Sequence, residues 1–98
     1  MLIRTQNRMR LLDMTGITIR ISNEYGEKYD IEAYANQTGR YQLLGTYSSE
    51  EKAIEVLDMI QNRYISSNAV FLHSGFVKNT VFEMPEDSEV DVWTINQS

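Results

Sequence analysis

Residues Leu44 to Tyr64, LGTYSSEEKAIEVLDMIQNRY, decide the fold. They predict the end of a strand, a polar turn and one amphipathic helix. Ser48 and Glu51 fit an S-x-x-E capping box, in which each side chain accepts a hydrogen bond from the other residue's backbone N–H. An apolar stripe then recurs at helical spacing, formed by Ala53, Ile54, Val56, Leu57, Ile60 and Tyr64. Because Ser66, Ser67 and Asn68 are typical of a loop, the sequence predicts a helix over 48–64.

The chain before this helix alternates apolar and polar residues, as strands do. The alternation is clearest over 17–22, 29–35 and 41–47, and the connections are too short for parallel crossovers. Keeping the apolar residues on one face pairs Ala35 with Tyr41, Ala33 with Leu43 and Ile31 with Gly45. The same rule sets Arg20 opposite Asp30 or Glu32. The predicted inner face comprises Ile17, Ile19, Ile21, Tyr29, Ile31, Ala33, Leu43 and Tyr47, with Tyr34 and Leu44 outside.

These patterns predict one α+β domain over residues 1–98. It has an antiparallel meander sheet of about five strands in 1–47 and one long amphipathic helix, 48–64, packed on one face. Residues 65–98 form a C-terminal arm and strand: a strand is expected at 80–84 and another short strand or a tail at 90–94. Residues 66–79 fit a strand, an ordered loop or an arm on another subunit. A pleckstrin-like small barrel capped by a helix is the alternative fold.

Composition excludes several classes of protein. There is no cysteine, so neither disulfides nor thiolate metal sites can form. No apolar run approaches the ~18 residues of a membrane span, and the first residues lack a signal-peptide core. The net charge of −5 argues against broad binding to nucleic acid backbones. We therefore expect a cytoplasmic protein, located in the host cytoplasm if a phage encodes it.

Residues that could carry catalysis are scarce. His73 is the single histidine, and it has no cysteine or second histidine with which to form a metal site or a Cys-His pair. Glu51, Glu55 and Asp58 share a helix face that a solvated surface explains. No glycine-rich phosphate loop is present. We expect no enzyme, no cofactor and no metal.

The N-terminal stretch offers a candidate binding site. Arg4, Gln6, Arg8 and Arg10 bring guanidinium groups and an amide together, a combination that suits a phosphate or carboxylate. Residues 83–91 carry five acids and no cation. The alternative is therefore that these two oppositely charged segments attract each other.

Four segments resemble a family. They are Leu2–Arg8 with Leu11-Leu12, residues 44–53, residues 56–60, and Phe82-Glu83-Met84-Pro85. Together they resemble small uncharacterised proteins of Gram-positive bacteria and their phages or prophages, over most of the chain. Thr5 and Asn7-Arg8 depart from the family's Ser and Asp-Lys.

The resemblance implies no activity or catalytic residue, but it implies a phage or prophage accessory protein. We therefore expect a non-enzymatic binding protein with an unknown protein or small anionic partner. Such a protein could act in counter-defence, by blocking a host defence protein or sequestering a nucleotide signal. The alternative function is a homo-oligomeric structural or interaction protein without a small ligand.

Overall fold

Six short strands and one long helix make up the fold. The computed structural model describes residues 1–23, 26–74 and 81–92, with the helix side chains described as far as Ile65. The elements are β1 (Leu2–Arg4), β2 (Leu11–Asp13), β3 (Ile17–Ser22), β4 (Tyr29–Ala35), β5 (Tyr41–Tyr47), α1 (Glu50–Ser74), β6 (Val81–Glu83) and a 3-10 turn (Asp87–Glu89).

The strands form two sheets of three. The first sheet has the order β2-β1-β6, in which β1 pairs antiparallel with β2 and parallel with β6. The second is the antiparallel meander β3-β4-β5, and α1 packs against it. The predicted α+β class, with a helix on mostly antiparallel strands, is confirmed, whereas a single five-stranded meander only approximates the two sheets.

The β3–β4 hairpin has one of the two registers that the alternation leaves open. Ile19 pairs with Ala33, and Ile21 pairs with Ile31. Arg20 lies opposite Glu32, and its Nε lies 3.0 Å from Glu32 Oε1. The apolar faces therefore coincide on the side that faces the core.

The register of β5 differs from the prediction because this strand is irregular. Ile31 pairs with Gly45 as expected, but Glu32 pairs with Leu43 and the ladder shifts by one residue between them. The predicted pairs Ala33–Leu43 and Ala35–Tyr41 are therefore wrong. One extra residue exchanges the two sides of a strand. Leu44 is consequently 1% exposed and Leu43 is 49% exposed, which reverses the faces predicted for both.

The start of α1 lies one residue later than the capping box predicts. Ser49 is the capping residue, because its Oγ accepts a hydrogen bond from the Lys52 N–H at 3.2 Å. Ser48 instead donates its N–H and its hydroxyl to Asp87 Oδ1, at 2.8 and 3.1 Å. The Ser48–Glu51 box is therefore wrong, since Ser49 is the capping residue and the Ser48 N–H that Glu51 would accept is donated to Asp87.

The end of α1 lies beyond residue 64, because the backbone stays helical to Ser74. The predicted end was wrong for an energetic reason. Serine and asparagine weaken a helix by only a fraction of ~1 kcal/mol each, and no glycine or proline occurs between Tyr64 and Gly75. Of the predicted arm at 66–79, the first nine residues are thus helical, and 75–79 lie outside the described residues.

Both sheets and the helix share one core. Ile3 and Phe82 enter it from the first sheet, and Ala53 and Val56 enter it from the predicted stripe of α1. Its other buried members are Ile31, Ala33, Leu44, Tyr47, Ile60, Met84 and Val90. Tyr64, at the end of that stripe, is 52% exposed. The core therefore receives Ala53, Val56 and Ile60 from α1, and Tyr64 lies at its margin.

One strand predicted after α1 lies within the described residues. β6 lies within the predicted strand 80–84 and pairs with β1. Val90 is buried and Val92 is half-buried, but residues 90–92 have no strand structure. The predicted last strand also includes Trp93 and Thr94, which lie outside the described residues.

Candidate binding surfaces

Arg4 and Arg8 lie together on the first sheet and share an acidic partner. Glu83 Oε1 lies 3.8 Å from Arg4 Nε and 3.6 Å from Arg8 Nη1. Arg4 Nη1 also donates to the Arg8 carbonyl at 3.2 Å. Two arginines of the basic N-terminal segment thus contact an acid of the C-terminal segment. This contact agrees with the alternative interpretation, in which the two oppositely charged segments attract each other. The side chains are well exposed, so each pair contributes at most about 1 kcal/mol.

Gln6, one of the four residues of the predicted binding site, uses its side-chain amide for hydrogen bonds within the fold. Its Oε1 accepts from the Thr46 N–H at 2.9 Å, and its Nε2 donates to the carbonyls of Thr46 and Pro85 at 3.2 and 3.1 Å. Its backbone N–H donates to the Leu44 carbonyl at 2.7 Å. Gln6 thereby links the first sheet to β5.

Arg10 lies apart from the other two arginines. Its Nη1 donates to Gln42 Oε1 at 2.9 Å, which directs it towards β5. Beside this contact is a hollow of about 320 Å³ lined by Thr5, Asn7, Arg10, Tyr41, Gln42 and Leu43. The four predicted site residues therefore do not meet in one place. Arg4 and Arg8 share Glu83, Gln6 links the first sheet to β5, and Arg10 lies at the edge of β5.

An apolar groove lies between α1 and the strands. It has a volume of about 400 Å³ and is lined by Met1, Met14, Ile17, Ile19, Leu57, Ile60, Gln61 and Tyr64. Gln61 is the single polar side chain in this lining. Ile65, which follows Tyr64, is 54% exposed. The groove thus adjoins two half-exposed apolar side chains of α1. Sequence reasoning missed it, because the apolar stripe of α1 does not reveal where the sheet ends beneath it.

A polar hollow lies beside the end of β5. Its volume is about 300 Å³, and its lining includes Lys28, Tyr47, Ser48 and Asp87. Burial, with nearby Glu86 and Asp87, raises the pKa of Tyr47 above its ordinary value, and its hydroxyl donates to the Pro85 carbonyl at 2.7 Å. Hydrogen bonds from the Ser48 N–H lower the pKa of Asp87. Tyr47 therefore stays a neutral donor and Asp87 a charged acceptor, and both hold the fold together.

Neither a metal site nor a membrane-spanning helix is found in the described part of the chain. Among the described side chains, those of 1–23, 26–65 and 81–92, no group of three or more His, Asp or Glu is placed to hold a metal ion. Within residues 1–23, 26–74 and 81–92, no helix is long and apolar enough to cross a membrane. His73 lies in the helical backbone, and its side chain lies outside the described part.

The chain matches no protein-family model, no curated protein and no solved structure.

Proposed function

We propose that this chain is a non-enzymatic binding protein whose apolar groove accepts aliphatic or aromatic side chains of a protein partner. The groove between α1 and β3 is the observation that carries the proposal. Its lining combines Tyr64, 52% exposed, with seven other side chains, of which one is polar. Exposed apolar concavities of this kind are typical of protein-binding sites, and tyrosine is enriched among the residues that dominate binding energy.

The resemblance to proteins of Gram-positive bacteria and their phages supports a narrower form of this proposal. In that setting the partner is a host defence protein in the host cytoplasm, and the chain acts by blocking it. A binder of this kind needs an accessible surface and no catalytic group, which fits the apolar groove.

A matched pair of variants tests the groove. The tagged chain is used to capture proteins from infected host lysate, in parallel with Tyr64→Glu and Met59→Glu. Met59 is 36% exposed and lies about 140° around the helix from Tyr64. We expect Tyr64→Glu to lose the captured protein and Met59→Glu to retain it. Equal capture by both variants would contradict a role for the groove.

The nucleotide-sequestering form of the proposal depends on Arg4 and Arg8. Their guanidinium groups converge on Glu83, and a phosphate competing with that carboxylate would gain two adjacent cations. Titration calorimetry against nucleotide signals tests this form with the wild type, Arg4→Ala and Arg8→Ala. Unchanged affinity in both variants would eliminate it.

Homo-oligomerisation is the second candidate, and the length of α1 favours it. The 25 residues of α1 span about 37 Å, whereas the seven residues of β4 span about 23 Å. A second copy could cover the remaining helix and the groove together. Light scattering separates the candidates: a mass that is a multiple of 11.4 kDa and that falls to one chain in Tyr64→Glu supports self-association.

A further inference from the structure

We propose that the edge of β5 at Tyr41 and Leu43 is a second binding site, and that it takes an extended acidic segment of a partner protein. This site lies at the edge of the second sheet and does not depend on the apolar groove. Three observations carry the proposal: exposed apolar side chains, a hollow along the strand edge, and an arginine without an acid among the described residues that line this hollow.

The outer face of the second sheet presents aromatic and aliphatic side chains. Tyr34 and Tyr41 are cross-strand partners, and the next pair is Glu32 with Leu43. Tyr41 is 57% exposed and Leu43 is 49% exposed. They are exposed on this face because the irregularity in β5 turns Leu44 into the core instead. A partner side chain placed here would remove both from water.

Arg10 and Arg40 supply positive charge beside this strand end. Gln42 is the partner of buried Ala33, so it lies on the other side of β5 from Tyr41 and Leu43, and Arg10 donates to it. Exposed Arg40 precedes Tyr41 in the chain. Among the described residues that line the hollow, Arg10 is charged and no acid occurs. On the outer face, Glu32 is paired with Arg20 and Asp30 accepts a hydrogen bond from the Thr46 hydroxyl. Charge complementarity selects an acidic partner, and arginine with tyrosine is the usual composition of an interface centre.

The edge of β5 sets the shape of that partner. β5 is an outer strand of its sheet, and Gln6 bonds its second half at Leu44 and Thr46. The first half borders the hollow of about 320 Å³ that Arg10 also lines. An extended segment can pair with such an edge and alternate its side chains between the two faces. Apolar residues would then contact Tyr41 and Leu43, while carboxylates reach Arg10.

The test uses a short synthetic peptide of alternating glutamate and leucine, labelled for fluorescence anisotropy. Peptides with glutamine or lysine in place of glutamate serve as controls. We expect the glutamate peptide to bind and both control peptides to bind at least about tenfold more weakly, because charge-assisted hydrogen bonds are lost. Arg10→Gln and Tyr41→Ala should each weaken binding by a similar factor. Arg8→Gln, which removes a more distant arginine, should leave binding within about twofold.

Amide chemical shifts of the ¹⁵N-labelled chain locate the site. Changes at Tyr41, Leu43 and Arg10 on addition of the glutamate peptide support the proposal. No binding at millimolar peptide, or shifts confined to α1, would overturn it. Preference for a thymidine oligonucleotide over the peptide would also overturn it and would indicate base stacking on the tyrosines. Tyr64→Glu should leave peptide binding unchanged, so this site and the groove can fail separately.

Discussion

Gln6 joins the two sheets with its side chain. The side-chain amide accepts a hydrogen bond from the Thr46 N–H and donates one to the Thr46 carbonyl, as the backbone of a neighbouring strand would. It also donates to the Pro85 carbonyl. Tyr47 donates to the same Pro85 carbonyl. One part-buried amide therefore satisfies backbone groups from two segments that are distant in the chain.

We predict that Gln6→Ala lowers the free energy of unfolding by about 1–3 kcal/mol. The variant leaves the Thr46 backbone groups and the Pro85 carbonyl without these partners, and unsatisfied buried groups are costly. Urea denaturation followed by circular dichroism measures the change. Gln37→Ala, in an exposed loop, is the control and should change stability by less than about 0.5 kcal/mol. Equal effects in the two variants would contradict a junction role for Gln6.

Asp87 makes stability depend on pH in the acid range. Hydrogen bonds from Ser48 and Lys52 hold its pKa below the ordinary 3.8. A carboxyl whose pKa is lower in the folded state binds fewer protons there than when unfolded. Its contribution is therefore present above the unfolded pKa and is lost as the pH falls through the folded pKa.

We predict that acidification from about pH 5 to pH 3 lowers the free energy of unfolding less in Asp87→Asn than in the wild type. Urea denaturation at a series of pH values measures this slope. Asp91→Asn removes the same charge from an exposed position and should keep the wild-type slope. A slope in Asp87→Asn that equals the wild type would place the acid sensitivity elsewhere.

At the scale of elements, the one-residue shift in β5 places Leu44, and not Leu43, in the core. Leu44 is fully buried, and Gly45 beside it has the Tyr47 ring within 3.2 Å of where a Cβ would lie. The alternation of Tyr41, Leu43, Gly45 and Tyr47 suggests one continuous face, but the shift places the first two outside and Tyr47 inside.

We predict that Leu44→Ala lowers the free energy of unfolding by about 2–4 kcal/mol, because it leaves a cavity in the core. Leu43→Ala should cost less than about 0.5 kcal/mol, since Leu43 is half exposed. Chemical denaturation of both variants gives the comparison. A larger loss of stability in Leu43→Ala than in Leu44→Ala would contradict the one-residue shift in β5.

The whole molecule could be predicted in part from its sequence. Local alternation limited the β3–β4 register to two, in which Arg20 faces Asp30 or Glu32, and helical spacing was enough for Ala53, Val56 and Ile60. Neither pattern carries information about the β1–β6 pairing, which joins residues about 80 positions apart. Composition identified the N-terminal arginines, yet it could not separate Arg4 and Arg8, which share Glu83, from Arg10, which lies at β5. The apolar groove depends on where the strands end in space, and no local pattern encodes that position.

The shared core predicts that both sheets unfold together. Ile3→Ala in β1 and Ile31→Ala in β4 each remove a fully buried side chain and should each lower stability by about 2–5 kcal/mol. Each variant should still show one transition. Far-ultraviolet circular dichroism and tyrosine absorbance should give coincident curves in both. Separate transitions in Ile3→Ala would mean that the first sheet is an independent unit.

The parallel pairing of β1 with β6 has a consequence for synthesis in the cell. Residues 2–4 leave the ribosome well before their partner residues 81–83. At ~5–20 residues per second, β1 waits several seconds for that neighbour. During this delay the nascent chain can complete the β3–β5 meander and pair β1 with β2, but the edge of β1 that β6 will occupy stays open. That open strand edge makes the unfinished chain a candidate for chaperone protection.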